Sequence, residues 1–352
     1  MDKLLSIIVP SYNMEKYLPK CLGSLVVDDA DMLNRLDVIA VNDGSKDRTS
    51  EVAHGFEAKY PGVFRVIDKA NGNYGSCINA ALPTARGRFV KILDADDTYD
   101  TVAFGRYLKE LAKLPETTDM VVNDWVQVDE NGRVNESTTY QLPTDAPFDI
   151  EAFVRQKCWV AMHAVVYRTA LLRKIGYVQT EGISYTDNEW VYLPAALAGE
   201  IRYIKQPIYR YLIGRAGQTV ERKTFIRNGW MLDVIFARML KQYDEISCSQ
   251  AAKSYLEYQL KGMYISSIDK HFMVVFSSRL MDSLEDVRRK VAAHEFLSDA
   301  VRSMVIFARS PFRFRYVDFV LRHPFFARPV LLFVKGYLRL RSKLTHWRRW
   351  FA

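Results

Sequence analysis

Three carboxylates stand close together at Asp94, Asp96 and Asp97, directly after the apolar run RFVKIL. Such a run reads as a buried strand, and carboxylates crowded at its end repel one another unless a counter-charge is present. A divalent cation meets that need. Mg2+ or Mn2+ takes oxygen ligands, keeps several waters, and is held by one or two carboxylates plus phosphate oxygens of a substrate. Asp94-x-Asp96 has the spacing for such a pair. An acidic turn capping the next helix, with Asp97 as N-cap ahead of Thr98 to Leu114, uses the same residues, and spacing alone leaves both readings open.

Polar clusters follow three other apolar runs: Pro10-Ser11-Tyr12-Asn13 after LSIIVP, Asn42-Asp43-Gly44-Ser45 after LDVIAVND, and Asn71-Gly72-Asn73-Tyr74-Gly75 after FRVID. Ligands of open parallel sheets gather at the carboxyl ends of the strands, so the four clusters are expected to build one cleft. No G-x-G-x-x-G follows the first run, and G-x-x-x-x-G-K-[ST] is absent from the chain. A Rossmann dehydrogenase and a P-loop NTPase thereby lose their main support.

The elements that must position these residues alternate. The four apolar runs are short and continuous, as buried parallel strands are, and Tyr17 to Val27, Arg48 to Tyr60 and Ser76 to Ala85 have helical composition between them. The pattern βαβαβαβ predicts an α/β fold with a parallel sheet. Strand candidates continue in MVVNDWVQVD, HAVVYR and IRYIKQPIYRYL, with a turn at Glu130-Asn131-Gly132, and from Lys223 to Ala308 the periodicity is helical. The expected organisation is a sheet domain over 1–220, in halves 1–115 and 116–220, a helical region over 221–308, and a tail over 309–352.

At 352 residues with 49% hydrophobic and 26% charged residues, the chain can bury a large core, and disorder is excluded. Its four cysteines lie tens of residues apart with no C-x-x-C pair, which argues against a zinc site or a disulfide framework and for a reducing compartment. The opening apolar stretch is one strand long and broken by Pro10, unlike a signal peptide, and no run of about 18 apolar residues predicts a transmembrane helix. Charge is unevenly spread. Residues 302–352 hold twelve Lys or Arg and one acid, Asp318, whereas the other 301 residues hold 37 basic and 40 acidic.

In order and spacing, SIIVPSYN, VNDGSKDRT, NGNYGSCINAA and KILDADD resemble the signature segments of family 2 glycosyltransferases, and a weaker match continues through ISYTDNEWVYLPAA and IKQPIYRYL. The resemblance implies a GT-A fold, a Rossmann-like nucleotide-binding mixed sheet flanked by helices, here with a helical C-terminal extension. It implies a UDP-sugar donor, Mg2+ or Mn2+, and inverting transfer to a hydroxyl of a glycan, teichoic-acid-like or lipid-linked acceptor. Pro10 and Tyr12 would border the base, Asp43 would bind uracil, and Asn13, Asn71, Gly72 and Asn79 would line the donor. Asp94 would lie near the ribose and Asp96 on the metal. Asp187 in SYTDNEW matches the catalytic aspartate, with Glu189 as second choice; a positioned carboxylate can take the acceptor proton. An Asp187 that only caps a helix from Asn188 to Leu197 is the plainer reading. The family commonly has an arginine where this chain has Ile78, and Arg86 or Arg88 are the candidates to replace it. Trp159, His163, Arg210 and Arg215 occupy positions suited to acceptor or diphosphate contacts; a packed histidine and solvated arginines are the alternatives.

Val330, Phe333, Tyr337, Leu340, Leu344, Trp347 and Phe351 recur at helical spacing with Lys335, Arg339, Lys343, Arg348 and Arg349 between them. An amphipathic cationic helix is predicted, suited to an anionic membrane surface, with docking on the protein itself as the alternative. Nucleic acid does not suit the acidic remainder. The expected location is the cytoplasm, peripheral on the inner face of the cell membrane. Two other functions are open to the same fold. A nucleotidyltransferase would show a glycine-rich, basic loop where SYNMEKY stands, and an inactive glycan-binding or nucleotide-sugar-binding protein would have lost acids that are all present here.

Overall fold

The computed structural model describes residues 2–156, 158–215, 218, 224, 227–273, 280–304 and 314–337. Contacts divide the chain into one unit of residues 1–221 with 242–256 and another of 222–241 with 257–352. Among its described residues the first contains nine strands in one sheet: β1 (Leu5–Ser11), β2 (Leu36–Asp43), β3 (Phe64–Lys69), β4 (Phe89–Ile92), β5 (Thr98–Tyr99), β6 (Thr118–Val128), β7 (Val134–Thr138), β8 (Val165–Arg168) and β9 (Glu200–Leu212). Their order is β3-β2-β1-β4-β8-β6-β9-β5, with β7 on β6.

The first four strands by sequence are mutually parallel. β8 runs against both β4 and β6, whereas β9 lies parallel to β6. The sheet is therefore mixed, as expected for the GT-A type, and it gains two short strands, β5 and β7, that the apolar runs do not predict. Every residue of β1 and β2 is buried, which explains their unbroken apolar runs: a strand covered on both faces has no solvent face for polar residues. Leu5, Ile7, Val9, Val38, Phe89 and Phe104 share the core, each contributing roughly 1.5–3 kcal/mol by its burial.

The helices of this half are α1 (Leu18–Gly23), α2 (Ala30–Asn34), α3 (Thr49–Lys59), α4 (Asn73–Ala81) and α5 (Thr101–Lys113). Two boundaries differ from expectation. The stretch Tyr17 to Val27 is helical only to Gly23. The cap of α5 is Asp100, whose carboxylate accepts from the Ala103 amide at 2.9 Å; Asp97 does not serve as that cap, because β5 intervenes.

Asp37, at the amino end of β2, shows how this protein accommodates a carboxylate in its core. It is completely buried, and it accepts from Arg65 Nε at 2.8 Å, Arg86 Nη2 at 2.6 Å and Ser6 Oγ at 2.7 Å. Burial alone would raise its pKa, but these donors hold the carboxyl far below the usual range. Arg86 is thus committed at the amino ends of the strands, and Arg88 bonds the Leu114 carbonyl at 2.8 Å. Neither replaces the arginine missing at Ile78.

Past the sheet, the helices are Trp230–Glu245, Gln250–Met273, Leu280–Ala293, Glu295–Ser303 and Tyr316–Arg322, as the helical periodicity predicts. Among the described residues, no helix is long and apolar enough to cross a membrane. Residues 327–337 are helical and bury Ala327, Leu331 and Val334, leaving Phe333 exposed; Phe325, just ahead of this helix, is 90% exposed. The buried stripe is thus offset from the predicted Val330-Phe333-Tyr337 stripe. Arg339, Leu340, Lys343, Leu344, Trp347, Arg348, Arg349 and Phe351 lie outside the described residues.

Candidate active site

The strand order places β2 and β4 on opposite sides of β1, so the connections leave in opposite directions and a crevice opens at the carboxyl ends. All four polar clusters lie there. Asn13, at φ 54°, stitches the first two together: its amide donates to Ser45 Oγ at 3.0 Å and its Oδ1 accepts from the Lys46 amide at 2.8 Å. Pro10 is buried within β1 opposite Val41, and Tyr12 is 43% exposed.

Asp43 is the anchor of the third cluster. Its carboxylate accepts from Lys69 Nζ at 2.7 Å and from the Gly72 and Asn73 amides at 2.9 and 2.8 Å, while Asn71 Nδ2 donates to its carbonyl at 2.9 Å. Three of about four acceptor positions are occupied. Gly44, at φ 70°, makes the tight turn possible, since a Cβ there would lie 3.0 Å from the Asn71 nitrogen.

The acidic turn is less well compensated. Tyr74 donates to Asp94 Oδ1 at 2.7 Å, and Arg215 pairs with Asp96 at 2.8 Å. Burial, then repulsion from Asp96, pushes the Asp94 carboxyl up to about 7. The carboxyl of Asp97, fully buried, is likewise raised, by burial first and then by Asp96 and Asp94. It receives Tyr209 Oη and the Leu212 amide, each at 2.7 Å, and so ties the turn to the end of β9. The contrast with Asp37 is one of compensation: two arginines hold that acid ionised, whereas burial and mutual repulsion favour the protonated forms of Asp94 and Asp97, and Arg215 pairs with Asp96.

Asp187 opens a short helix, Asp187–Trp190, and Thr186, not Asp187, is its N-cap. The expected helix to Leu197 is broken, resuming at Leu193–Ala196 with Pro194 in its first turn. Burial raises the Asp187 carboxyl to about 6, and its charge is felt by Asp94, Tyr74 and Tyr211. Asp94, Asp96 and Asp187 therefore share one electrostatic neighbourhood. Glu189 plays a different part, for it is buried and accepts from the Thr180 amide at 2.7 Å and Thr180 Oγ1 at 2.8 Å.

Other predicted residues separate clearly. Arg215 reaches the acidic turn, but Arg210 donates to the Gly132 carbonyl at 2.7 Å and is not brought to it. Asn79 pairs with Gln179 and Glu181, not with the Asp43 cluster. Trp159 is 45% exposed. His163 packs between Tyr209 and Tyr211, with ring centroids 4.8 and 4.6 Å away. Burial, then Lys91, lowers its pKa to about 3, so the ring is neutral at pH 7. Tyr74, from the third polar cluster, joins the site as expected though no role was assigned to it, and Tyr209 and Tyr211 join it without having been predicted from sequence. The alternation in IYRYL was the available signal, since Tyr209 and Tyr211 two residues apart share one face of a strand.

Both acids Asp94 and Asp96 offer oxygen to a hard divalent ion, which would displace the proton that the raised Asp94 carboxyl holds up to about pH 7. This donor set fits a cation that keeps water and substrate phosphate as its remaining ligands.

A mixed sheet in this order, with acids collected at the β1–β4 crevice, defines a GT-A-type fold. S. aureus TarS 1–349 shares it, with a TM-score of 0.58 and 19% identity over 85% of this chain and 81% of that one. Residues 6–176 match the model for Glycosyl transferase family 2. The chain is 38% identical over 110 residues to the glycosyltransferase EpsJ of Bacillus subtilis, 31% of each protein, and 26% identical over 229 residues to EpsH of the same organism, 62% of this chain and 64% of that one. The matches span from about a third to under two thirds of these relatives' own lengths. Residues 6–176 are thus similar to family 2 glycosyltransferases, on a fold of the GT-A type.

Proposed function

We propose that the protein transfers a sugar from a UDP-sugar to a hydroxyl of a polysaccharide, polymer or lipid-linked acceptor, with inversion and with help from Mg2+ or Mn2+. The observation that carries this reading is the shared neighbourhood of Asp94, Asp96 and Asp187, in which two carboxyls are raised to about 7 and about 6. A base near 6 is ionised at neutral pH yet still able to take a proton. TarS, which shares the fold, is known in complex with UDP-GlcNAc, and this supports a UDP-sugar donor.

Asp94 and Asp96 would hold the cation, which when bound stabilises the charge developing on the UDP leaving group. Tyr12, 43% exposed, would stack on the base, and Asp43, whose carboxylate already holds Lys69, Gly72 and Asn73, would accept from a ring N–H. Asp187 takes the acceptor's proton as the hydroxyl attacks the anomeric carbon, and with single displacement the configuration there inverts. Glu189 is not that base, because both its oxygens are engaged. We also propose peripheral attachment to the inner face of the cell membrane through the basic C-terminal residues and the exposed Phe325.

A panel of UDP-sugars tests the reading. One donor should raise the unfolding temperature and release UDP with Mn2+ or Mg2+ present, and chelator should abolish release. Undiminished release in excess chelator would remove the metal from the mechanism.

A further inference from the structure

We propose that Asn79 is a positioning residue for Asp187, acting through the segment 177–186 that carries it; this rests on the reading of Asp187 as the base. Asn79 lies near the end of α4, a hundred residues earlier in the chain. Its side-chain amide matches both backbone groups of one residue: Oδ1 accepts from the Gln179 amide at 2.8 Å, and Nδ2 donates to the Gln179 carbonyl at 2.9 Å. Nδ2 also donates to Glu181 Oε1 at 2.8 Å. A carboxamide carries a donor and an acceptor side by side, so this fit belongs to asparagine and is lost in aspartate or alanine.

Two further contacts fasten the same segment to the same helix. One turn before Asn79, Gly75 lets the Thr180 carbonyl approach so closely that a Cβ would lie 2.1 Å from its oxygen. At the helix start, the Gly182 amide donates to the Gly72 carbonyl at 2.8 Å. The segment is thus held at three levels of α4. From the other side, Thr186 Oγ1 donates to Gln179 Oε1 at 3.1 Å, and Glu189 holds Thr180 through both carboxylate oxygens. Asp187 stands between Thr186 and Glu189, so its position follows that of residues 179–180.

The same helix also holds the donor-side acids. Its first amides hold Asp43, and Tyr74 holds Asp94. A nine-residue helix is a rigid rod about 13 Å long, so α4 acts as a ruler: one end grips the donor-side acids and the other sets where the base stands. Placement errors near 1 Å cost on the order of a hundredfold in rate, which gives the clasp a kinetic consequence without any contact between Asn79 and substrate. Glu189, read from sequence as a second choice of base, becomes the opposing jaw.

The test compares Asn79→Ala, Gly75→Ala and Asp187→Asn in the full chain by donor kinetics, UDP affinity and amide hydrogen exchange. Alanine is the better helix former at Gly75, so that variant keeps α4 while displacing Thr180, and it serves if Asn79→Ala fails to fold. Both clasp variants should lower kcat about tenfold or more, leave the donor KM and UDP affinity within about twofold, and speed exchange across 179–187 while α4 stays protected. Faster exchange with unchanged kcat would overturn the inference. So would UDP affinity falling in step with kcat, because Asn79 would then be a donor ligand. A dead Asp187→Asn beside a fully active Asn79→Ala overturns the clasp alone, whereas near-native turnover of Asp187→Asn removes the base and the inference with it.

Discussion

Replacing Asp187 with asparagine should stabilise the protein while disabling it. Burial raises this carboxyl to about 6, roughly two units above an unperturbed aspartate, and each unit corresponds to about 1.4 kcal/mol. Because the native pKa lies above the unfolded one, the folded chain holds the proton more tightly. The penalty for ionisation is absent below about pH 4, grows between about 4 and 6, and is complete above 6, where it amounts to about 3 kcal/mol. Asparagine carries no charge and avoids it. Urea unfolding without donor or metal should therefore show Asp187→Asn more stable at pH 7.5 by up to about 3 kcal/mol, with the gap closing by pH 4. Turnover should fall by 10²–10⁴, the range for a general base, and the wild-type rate should decline below about pH 6 as Asp187 takes up its proton. A variant no more stable at pH 7.5 than at pH 4 would refute the burial argument, and one that turns over at near-native rate would refute the assignment of the base.

Asp37→Ala should do the reverse, costing about 3 kcal/mol because Arg65 and Arg86 lose their buried partner, with kcat per folded molecule unchanged. The pKa of Asp37 is depressed by folding, so its contribution is present at neutral pH and lost as acid protonates it; chemical denaturation at pH 7 and below pH 4 should show the difference between wild type and variant shrinking. Changing Arg339, Arg341, Lys343, Arg348 and Arg349 to glutamine should release the protein from anionic vesicles in a sedimentation assay, since each basic residue near such a surface contributes about 1 kcal/mol; unchanged sedimentation would remove the tail from membrane binding.

Much of this protein was legible in the chain itself. Strands buried on both faces have no choice but continuous apolar sequence, so β1 and β2 announced themselves, and the polar clusters ending each run marked the side of the sheet where the acids collect. What sequence could not settle was which acids would be compensated. Asp37 and Asp94 both sit at ends of buried strands, yet one meets two arginines and a serine while the other meets a tyrosine and a second carboxylate. The motif resemblance implies a donor ligand at Asn79 and a second choice of base at Glu189; it does not reveal their contacts with Gln179 and Thr180, 100 and 9 residues away. Periodicity reports which face a residue shares with its neighbours in sequence; partners across such separations are chosen by the packing of whole elements, and only the folded chain brings them within hydrogen-bonding distance.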